Sequence, residues 1–328
     1  MAINLTFGIP TYNGSKTILD TLKSICTQQV NDSFSFDILI SNNNSTDDVI
    51  DVCHKYFQSI NFTDYLIINN EFYDNTVDGN ILNLYRNFSG EYLWFISDDD
   101  TLSTDESLLL IINIIKCHSP NIITCNYNEC DFDLKILKKR FRKKEIIDTY
   151  SDNKSEWLLN SQFYFGLISS LIVKRNLVDI NQIFKFYGLL SLHIPIALLS
   201  AANGQTVCIN NRLINLRTGN TTWGKNGSFL INFLHISLIL HKMKDYNYDS
   251  NAITKTIKIN FKDNWKNIIK AKNEGLHFTS ELMFEEFIVY KKFIRFWFLD
   301  IYLLFLPNKI ISFFKIFYKT KYKNFINT

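Results

Sequence analysis

Three consecutive aspartates, Asp98-Asp99-Asp100, close the apolar run Glu91 to Ile96. Along an extended chain alternate side chains face the same way. Asp98 and Asp100 are therefore expected to converge while Asp99 faces elsewhere, unless a turn re-aims it. Adjacent carboxylates repel one another, and a divalent cation removes that cost. Hard oxygen donors suit Mg²⁺ or Mn²⁺, which also takes phosphate oxygens. The plainer reading is an acidic turn with a helix N-cap. Two polar clusters follow earlier apolar runs. In Pro10-Thr11-Tyr12-Asn13, a flat ring and an amide can pack and pair with a nucleotide base, or simply make a strand-to-helix turn. In Ser41 to Asp48, Ser45 and Asp48 read as a capping box, which leaves Asn42 and Asn44 to read a ligand. Asp78-Gly79-Asn80 and Arg86 precede the acidic strand; Arg86 suits either an anion or a helix surface.

The elements that must position these groups alternate. Ile3 to Ile9 reads as a strand stopped by Pro10. Ser15 to Gln29 reads as a helix with Ile18, Leu22 and Ile25 on one face. Phe36–Ile40 is a second strand, followed by a helix carrying Val49, Ile50, Val52, Cys53 and Phe57. Tyr65–Ile68 is a third strand and Gly79–Asn87 a helix. Ser103 to Glu106 caps a helix with Leu109, Ile112 and Ile115 inward, and Asn121–Cys125 is a further strand. This alternation predicts βαβ units, an α/β fold with a mostly parallel sheet, and ligands at the carboxyl ends of strands. Residues 135–144 carry seven basic side chains in an expected hairpin or loop, either a solvated face or a contact for phosphate. Residues 155–240 read as mainly helical with a strand near Thr206–Asn210, and 250–323 as helical and aromatic.

Together, Pro10-Thr11-Tyr12-Asn13, Asn42 to Asp47, Gly79-Asn80, and Ser89-Gly90-Glu91-Tyr92 leading into Asp98-Asp99-Asp100 resemble the family-2 glycosyltransferases of the GT-A fold. The resemblance covers roughly the first 125 residues, and its flavour is that of the abequosyltransferase-like bacterial group, which builds O-antigen and other surface polysaccharides. It implies a metal-dependent, inverting transfer of a sugar from a nucleotide-diphosphate donor. Pro10, Tyr12, Asn13, Asn42, Asn44, Asn80, Arg86 and Asp98 would bind the donor nucleotide. Asp98 and Asp100 would correspond to the DxD motif that holds Mn²⁺ or Mg²⁺. One departure stands out: the family usually has an Asp at the position of Asn42, where it pairs with the donor base. An amide both donates and accepts, which leaves the base open.

The same resemblance divides the chain into a catalytic domain, 1–225, and a helical region, 226–328. Within the first, 1–125 would bind the nucleotide sugar and 126–225 the acceptor. The transfer needs a base. Related enzymes place a carboxylate at the start of a helix that matches Tyr187 to Pro195. Here His193 is the titratable base in that stretch, and a histidine satisfied within a core is the alternative. Leu216 to Trp223 resembles an Arg-and-Trp loop, in which Arg217 would stabilise the leaving diphosphate and Trp223 would close over the sugars. A salt-bridged Arg and a packed Trp are the plain readings.

Net charge is +3 and 46% of residues are hydrophobic. The chain can bury a core and is not a nucleic-acid binder by charge. Residues 291–323 hold eight basic residues and one acid, so the basic excess belongs to this tail. Its basic and aromatic interleaving suggests in-plane binding to an anionic inner leaflet, which suits a polyprenyl-diphosphate-linked glycan acceptor. Burial within the protein or at a homo-oligomer interface is the alternative. Six cysteines lack CxxC spacing and read as buried reduced thiols. No basic n-region and apolar h-region open the chain, so secretion is not expected and the cytosol fits; with the tail, the expectation is the cytoplasmic face of the inner membrane. A dehydrogenase would need GxGxxG after the first strand, and a sugar nucleotidyltransferase a glycine-rich basic loop there. An inactive membrane-associated scaffold is a further alternative.

Overall fold

The computed structural model describes residues 3–30, 34–70, 75–138, 148–161, 164–202, 204–219, 234–261, 265, 268–269, 272, 279–294, 296–307 and 310. The chain divides into two compact units, Met1–Thr221 with Met243–Ile253, and Thr222–Lys242 with Thr254–Thr328.

In the first unit, β1 (Ile3–Thr11), β2 (Phe34–Asn42), β3 (Tyr65–Asn69) and β4 (Tyr92–Phe95) are parallel. They alternate with α1 (Ile18–Cys26), α2 (Val49–Ser59) and α3 (Val77–Asn87). β5 (Thr101–Leu102) and α4 (Ser107–His118) follow the acidic turn. Then come β6 (Ile122–Cys130), β7 (Ile136–Lys138), β8 (Thr149–Ser151), α5 (Lys154–Asn160), β9 (Leu171–Lys174), α6 (Ile180–Phe184), α7 (His193–Ala201) and β10 (Thr206–Arg217). The strand order is β3-β2-β1-β4-β9-β6-β10-β5, with β7 beside β6 and β8 beside β10. This is the expected α/β sheet flanked by helices. β9 is antiparallel to both β4 and β6, whereas β6 and β10 are parallel.

Burial follows the apolar spacing. Ile18, Leu22 and Ile25 of α1, and Val49, Cys53 and Phe57 of α2, are fully buried. On α4 the inward stripe is Leu108, Ile111, Ile112 and Ile115 rather than one through Leu109, the better i, i+3, i+4, i+7 set. All four residues of β4 are buried, each contributing about 1.5–3 kcal/mol by the usual scale for large apolar side chains. The polar tips are satisfied: Trp94 Nε1 donates to the Ser169 carbonyl at 3.0 Å and the Tyr92 hydroxyl to that of Pro120 at 2.9 Å.

Several expectations change. Pro10 does not stop β1, which pairs with β2 through Thr11. Backbone groups alternate sides along a strand, and the Gly8 carbonyl accepts from Ile96 on the β4 side. Two residues on, the missing N–H of Pro10 faces that same side, where β4 has ended. Residues 155–240 are less helical than expected, because β9 is a short apolar run that periodicity cannot assign and β10 extends to Arg217 through irregular register near Arg212. The hairpin expected over 135–144 is seen in β7 against β6, and residues 139–144 lie outside the described ones. Cys53, Cys125, Cys130 and Cys208 are buried and free, but Cys117 is exposed on the outer side of α4.

In the second unit the Tyr290 hydroxyl bonds Ser237 Oγ at 2.8 Å, and Lys272 Nζ donates to the Leu304 and Leu306 carbonyls. Ile294, Phe298, Tyr302 and Phe305 are exposed. Among the described residues no helix is long and apolar enough to cross a membrane.

The cap expected from Ser103 to Glu106 is supplied from another element. Gln28, just past α1, accepts from the Leu108 N–H at 2.8 Å and donates to the Thr104 carbonyl at 2.7 Å. Gln28→Ala leaves a buried N–H without its acceptor and is expected to lower unfolding free energy by about 1–3 kcal/mol in urea titration. A change within error would show that water replaces the cap.

Candidate functional site

The ends of β1, β2 and β3 are level, with Thr11 opposite Asn42 and Asn42 opposite Asn69. The chain steps off this shelf in matched fashion: Asn43 N–H donates to the Thr11 carbonyl and Asn70 N–H to that of Asn42, both at 2.9 Å. The loops after β1 and β2 are tied together. Asn13 Oδ1 accepts from the Thr46 N–H at 2.7 Å, and the Asn13 N–H donates to Ser45 Oγ at 2.9 Å. Asn13 and Asn44 take left-handed backbone, φ 54° and 57°, which asparagine tolerates.

These contacts overturn the expected capping box. Ser45 serves the other loop, Asp48 makes no side-chain cap, and Asp47 Oδ1 accepts from the Val49 N–H at 3.3 Å. Nor are Asn42 and Asn44 left over. Asn42 donates to Asn69 Oδ1 and accepts from the Ser45 N–H, both at 3.0 Å, and Asn44 donates to Asn75 Oδ1. Tyr12 is half exposed beside this network. Asn80, in the first turns of α3, is buried and donates to the Thr11 carbonyl at 3.4 Å. Its Oδ1 has no partner among the described residues.

The acidic segment is a turn, closed by Asp100 N–H on the Ser97 carbonyl at 3.2 Å. It separates the two carboxylates that alternation would have aligned. Asp98 Oδ2 accepts from Thr11 Oγ1 at 2.6 Å and from the Tyr12 N–H at 3.4 Å, on the shelf side. Gly14 allows this approach, since a Cβ there would lie 2.2 Å from Asp98 Oδ2. Asp100 turns inward: Oδ2 accepts from Ser169 Oγ at 2.5 Å and Oδ1 from the Arg217 N–H at 3.0 Å. Asp99 Oδ1 accepts from Ser97 Oγ at 2.6 Å.

Burial, then the neighbouring Asp99 charge, with Asp47 adding to it, push the Asp98 carboxyl up to about 7 against the hydrogen bond from Thr11. Burial and Asp99 also push Asp100 well above the carboxylate range. Among the described residues no three acidic, histidine or cysteine side chains surround a common cation position. Asp98 fits a hard cation, being an oxygen donor at the shelf whose charge is opposed by two other carboxylates. Each Asp100 oxygen already accepts one interior hydrogen bond, so a cation there would share Asp100 with Ser169 and Arg217.

Arg217, at the end of β10, is buried with its guanidinium engaged. It donates to the Asp99 carbonyl at 2.9 Å, to Asp20 Oδ2 at 2.7 Å and to the Phe132 carbonyl. It braces the acidic turn from within rather than presenting donors to a diphosphate. Arg86 is exposed in the last turn of α3, about 9 Å along the helix from Asn80. Past that end, Gly90 and Glu91 bond Thr6 and Asn4 near the start of β1, so Arg86 lies away from the shelf. His193 opens α7, as expected for the base position, but its Nδ1 is sealed without a partner among the described residues and its Nε2 faces the Gly166 carbonyl at 3.3 Å. Burial lowers its pKa to about 4. A ring that resists protonation this strongly is poorly matched to take a proton near neutral pH, which speaks against His193 as the base. Trp223 lies outside the described residues.

Three functional partners do not follow from the sequence motifs: Thr11 for Asp98, Ser169 for Asp100, and Asp20 as the counter-ion of Arg217. Thr11 lies within the Pro10-Thr11-Tyr12-Asn13 cluster, which is the signal for it. Ser169 and Asp20 lie about 69 and 197 residues from their partners and gave no local signal.

The raised pKa of Asp98 has a direction for stability. The carboxyl ionises near 4 in the unfolded chain and near 7 in the folded one, so its term favours folding at low pH and is lost as pH rises between those values. The melting temperature of Asp98→Asn minus that of the wild type is therefore expected to climb by several degrees from pH 4.5 to 8. A flat difference would mean that Asp98 is ordinarily ionised.

The family model for glycosyl transferase family 2 matches residues 6–174. A comparison with curated sequences gives no match. Among solved structures, S. aureus TarS 1-349 in complex with UDP-GlcNAc is similar with TM-score 0.61 and 13% identity, over 88% of this chain and 82% of that one. The same protein with UDP gives 0.59 and 13%, over 89% and 87%. The mannosyltransferase PcManGT from Pyrobaculum calidifontis, in complex with GDP-Man and Mn²⁺, gives 0.53 and 10%, over 84% and 74%. These likenesses show that the fold is of the GT-A type. With more than half of its length matched by the family model, and with the acidic turn set beside the shelf of strand ends, the chain belongs to glycosyl transferase family 2.

Proposed function

We propose that this protein transfers a sugar from a nucleoside-diphosphate donor to a hydroxyl of a glycan acceptor, with inversion. The observation that carries the reading is the level shelf of β1, β2 and β3 ends joined to the acidic turn by the Thr11–Asp98 hydrogen bond of 2.6 Å. The half-exposed Tyr12 ring offers the base a stacking face, and the buried, unpartnered Asn80 Oδ1 offers an acceptor for a ligand N–H or O–H. Both structural relatives carry nucleotides, UDP-GlcNAc or UDP in one and GDP-Man in the other. Asp98 would hold Mn²⁺ or Mg²⁺, whose charge would stabilise the departing diphosphate. Asp100 and Arg217 keep the turn in shape from behind it.

We assign the acceptor to a lipid-linked glycan of bacterial surface-polysaccharide assembly, O-antigen or capsule, at the cytoplasmic face of the inner membrane. Support for this comes from the motif resemblance to the abequosyltransferase-like group, and from exposed Trp297, Phe298, Tyr302 and Phe305 near Lys291 and Lys292 in sequence. A scaffold that has lost activity is the second reading. It is favoured by an Asn at position 42 and by the half-buried His193 where relatives place a carboxylate.

Thermal shift with UDP-, GDP-, CDP- and dTDP-sugars and Mn²⁺ is expected to single out one nucleotide by stabilisation. Asp98→Ala should then lower turnover about 100-fold or more while the protein stays folded. Unchanged turnover of any donor, or no stabilisation by any, would favour the scaffold. His193→Gln is expected to keep the acidic limb of the kcat/KM pH profile within about half a pH unit; disappearance of that limb would restore His193 as the base.

A further inference from the structure

The loop between α6 and α7 turns on one carboxylate that the proposed chemistry does not use. Asp78, fully buried in the first turn of α3, reaches across more than a hundred residues of sequence. Its Oδ2 accepts from the Gly188 N–H at 2.9 Å and the Leu190 N–H at 2.8 Å, and its Oδ1 from the Leu192 N–H at 3.0 Å. Two residues of that loop are left-handed, Gly188 at φ 90° and Leu190 at φ 55°. The conformation is costly for leucine, so it persists because something outside the loop imposes it. Alternate N–H groups converging on one point form an anion-binding concavity, and Asp78 fills it. The Tyr187 hydroxyl meets Thr76 Oγ1 at 3.3 Å, a second link between the same two elements.

Helix α3 borders the donor shelf. Two residues beyond Asp78, Asn80 bonds the Thr11 carbonyl on the donor shelf. Immediately after Leu190, Ser191 is fully buried, and among the described residues neither its Oγ nor His193 Nδ1 has a partner. Buried polar atoms without partners are rare, and these two stand on the segment that Asp78 ties to α3.

We propose that Asp78 is a positioning residue: its carboxylate sets the 188–192 loop, and through it the start of α7, against the donor shelf, so that the acceptor meets the donor in register. This rests on the transferase reading above. It places the effect on turnover rather than on nucleotide affinity, since misplacement by about 1 Å can cost about 100-fold in rate.

Asp78→Asn keeps the shape but exchanges one oxygen for an NH₂, which cannot face an N–H donor. With its remaining oxygen toward Gly188 and Leu190, it releases the Leu192 N–H. Amide hydrogen exchange is expected to quicken about tenfold or more at Leu192 in Asp78→Asn, and at all three amides in Asp78→Ala. Turnover, followed as nucleoside-diphosphate release from the sugar nucleotide that the donor screen selects, should fall about 10- to 100-fold. The dissociation constant of that nucleoside diphosphate with Mn²⁺ should stay within about twofold. Gly188→Ala is the second variant. A Cβ there meets nothing within 4 Å, so it strains only the loop backbone, and the same turnover-selective loss is expected. Unchanged exchange, unchanged turnover, or a loss of nucleotide affinity matching the loss of turnover overturns the positioning role. Absence of nucleoside-diphosphate binding to the wild type overturns the transferase reading itself, whereas the exchange measurement fails or succeeds independently of it.

Discussion

Three carboxylates can share one turn at the end of a buried strand only if each is given its own surroundings. Here the turn sends Asp98 to Thr11 on the shelf and Asp100 to Ser169 and the Arg217 N–H inside. Arg217 then spans the back of the turn, from the Asp99 carbonyl to Asp20. Repulsion survives this division, which is why the Asp98 and Asp100 carboxyls both lie above their ordinary range. A site that stores unfavourable negative charge is one that gains by meeting a cation. The strain of the acidic turn and its use are the same electrostatic fact.

The shelf beside it is built differently. Its polar groups are neutral amides, linked Asn42 to Asn69, Asn43 to Asn70 and Asn83 to Ser41. Amides both donate and accept, so they can close a buried network without adding charge beside the aspartates. An aspartate at position 42 would add a further carboxylate to this neighbourhood, which already contains Asp47. The network also leaves an opening, since Asn80 Oδ1 is buried without a partner. Asp78, on the same helix turn, shows the complementary device, a carboxylate neutralised by backbone N–H groups from a distant loop.

The alternation of strands and helices and the inward stripes of α1 and α2 are legible in the amino-acid order alone, because local periodicity records which face is buried. The same order also determined that Asp98 to Asp100 and the polar strand ends form one edge, since parallel strands end on the same side. Tertiary structure decided the rest. Which way Asp98 and Asp100 point depends on a turn whose partners, Thr11, Ser169 and Arg217, come from three distant segments. Whether Arg217 and His193 face a ligand depends on burial, which residue type does not encode. Helix α4 is capped by Gln28 from another element, so the local capping signal misled. Side-chain period is a local property, whereas the partner of a polar group is set by packing between segments far apart in the chain.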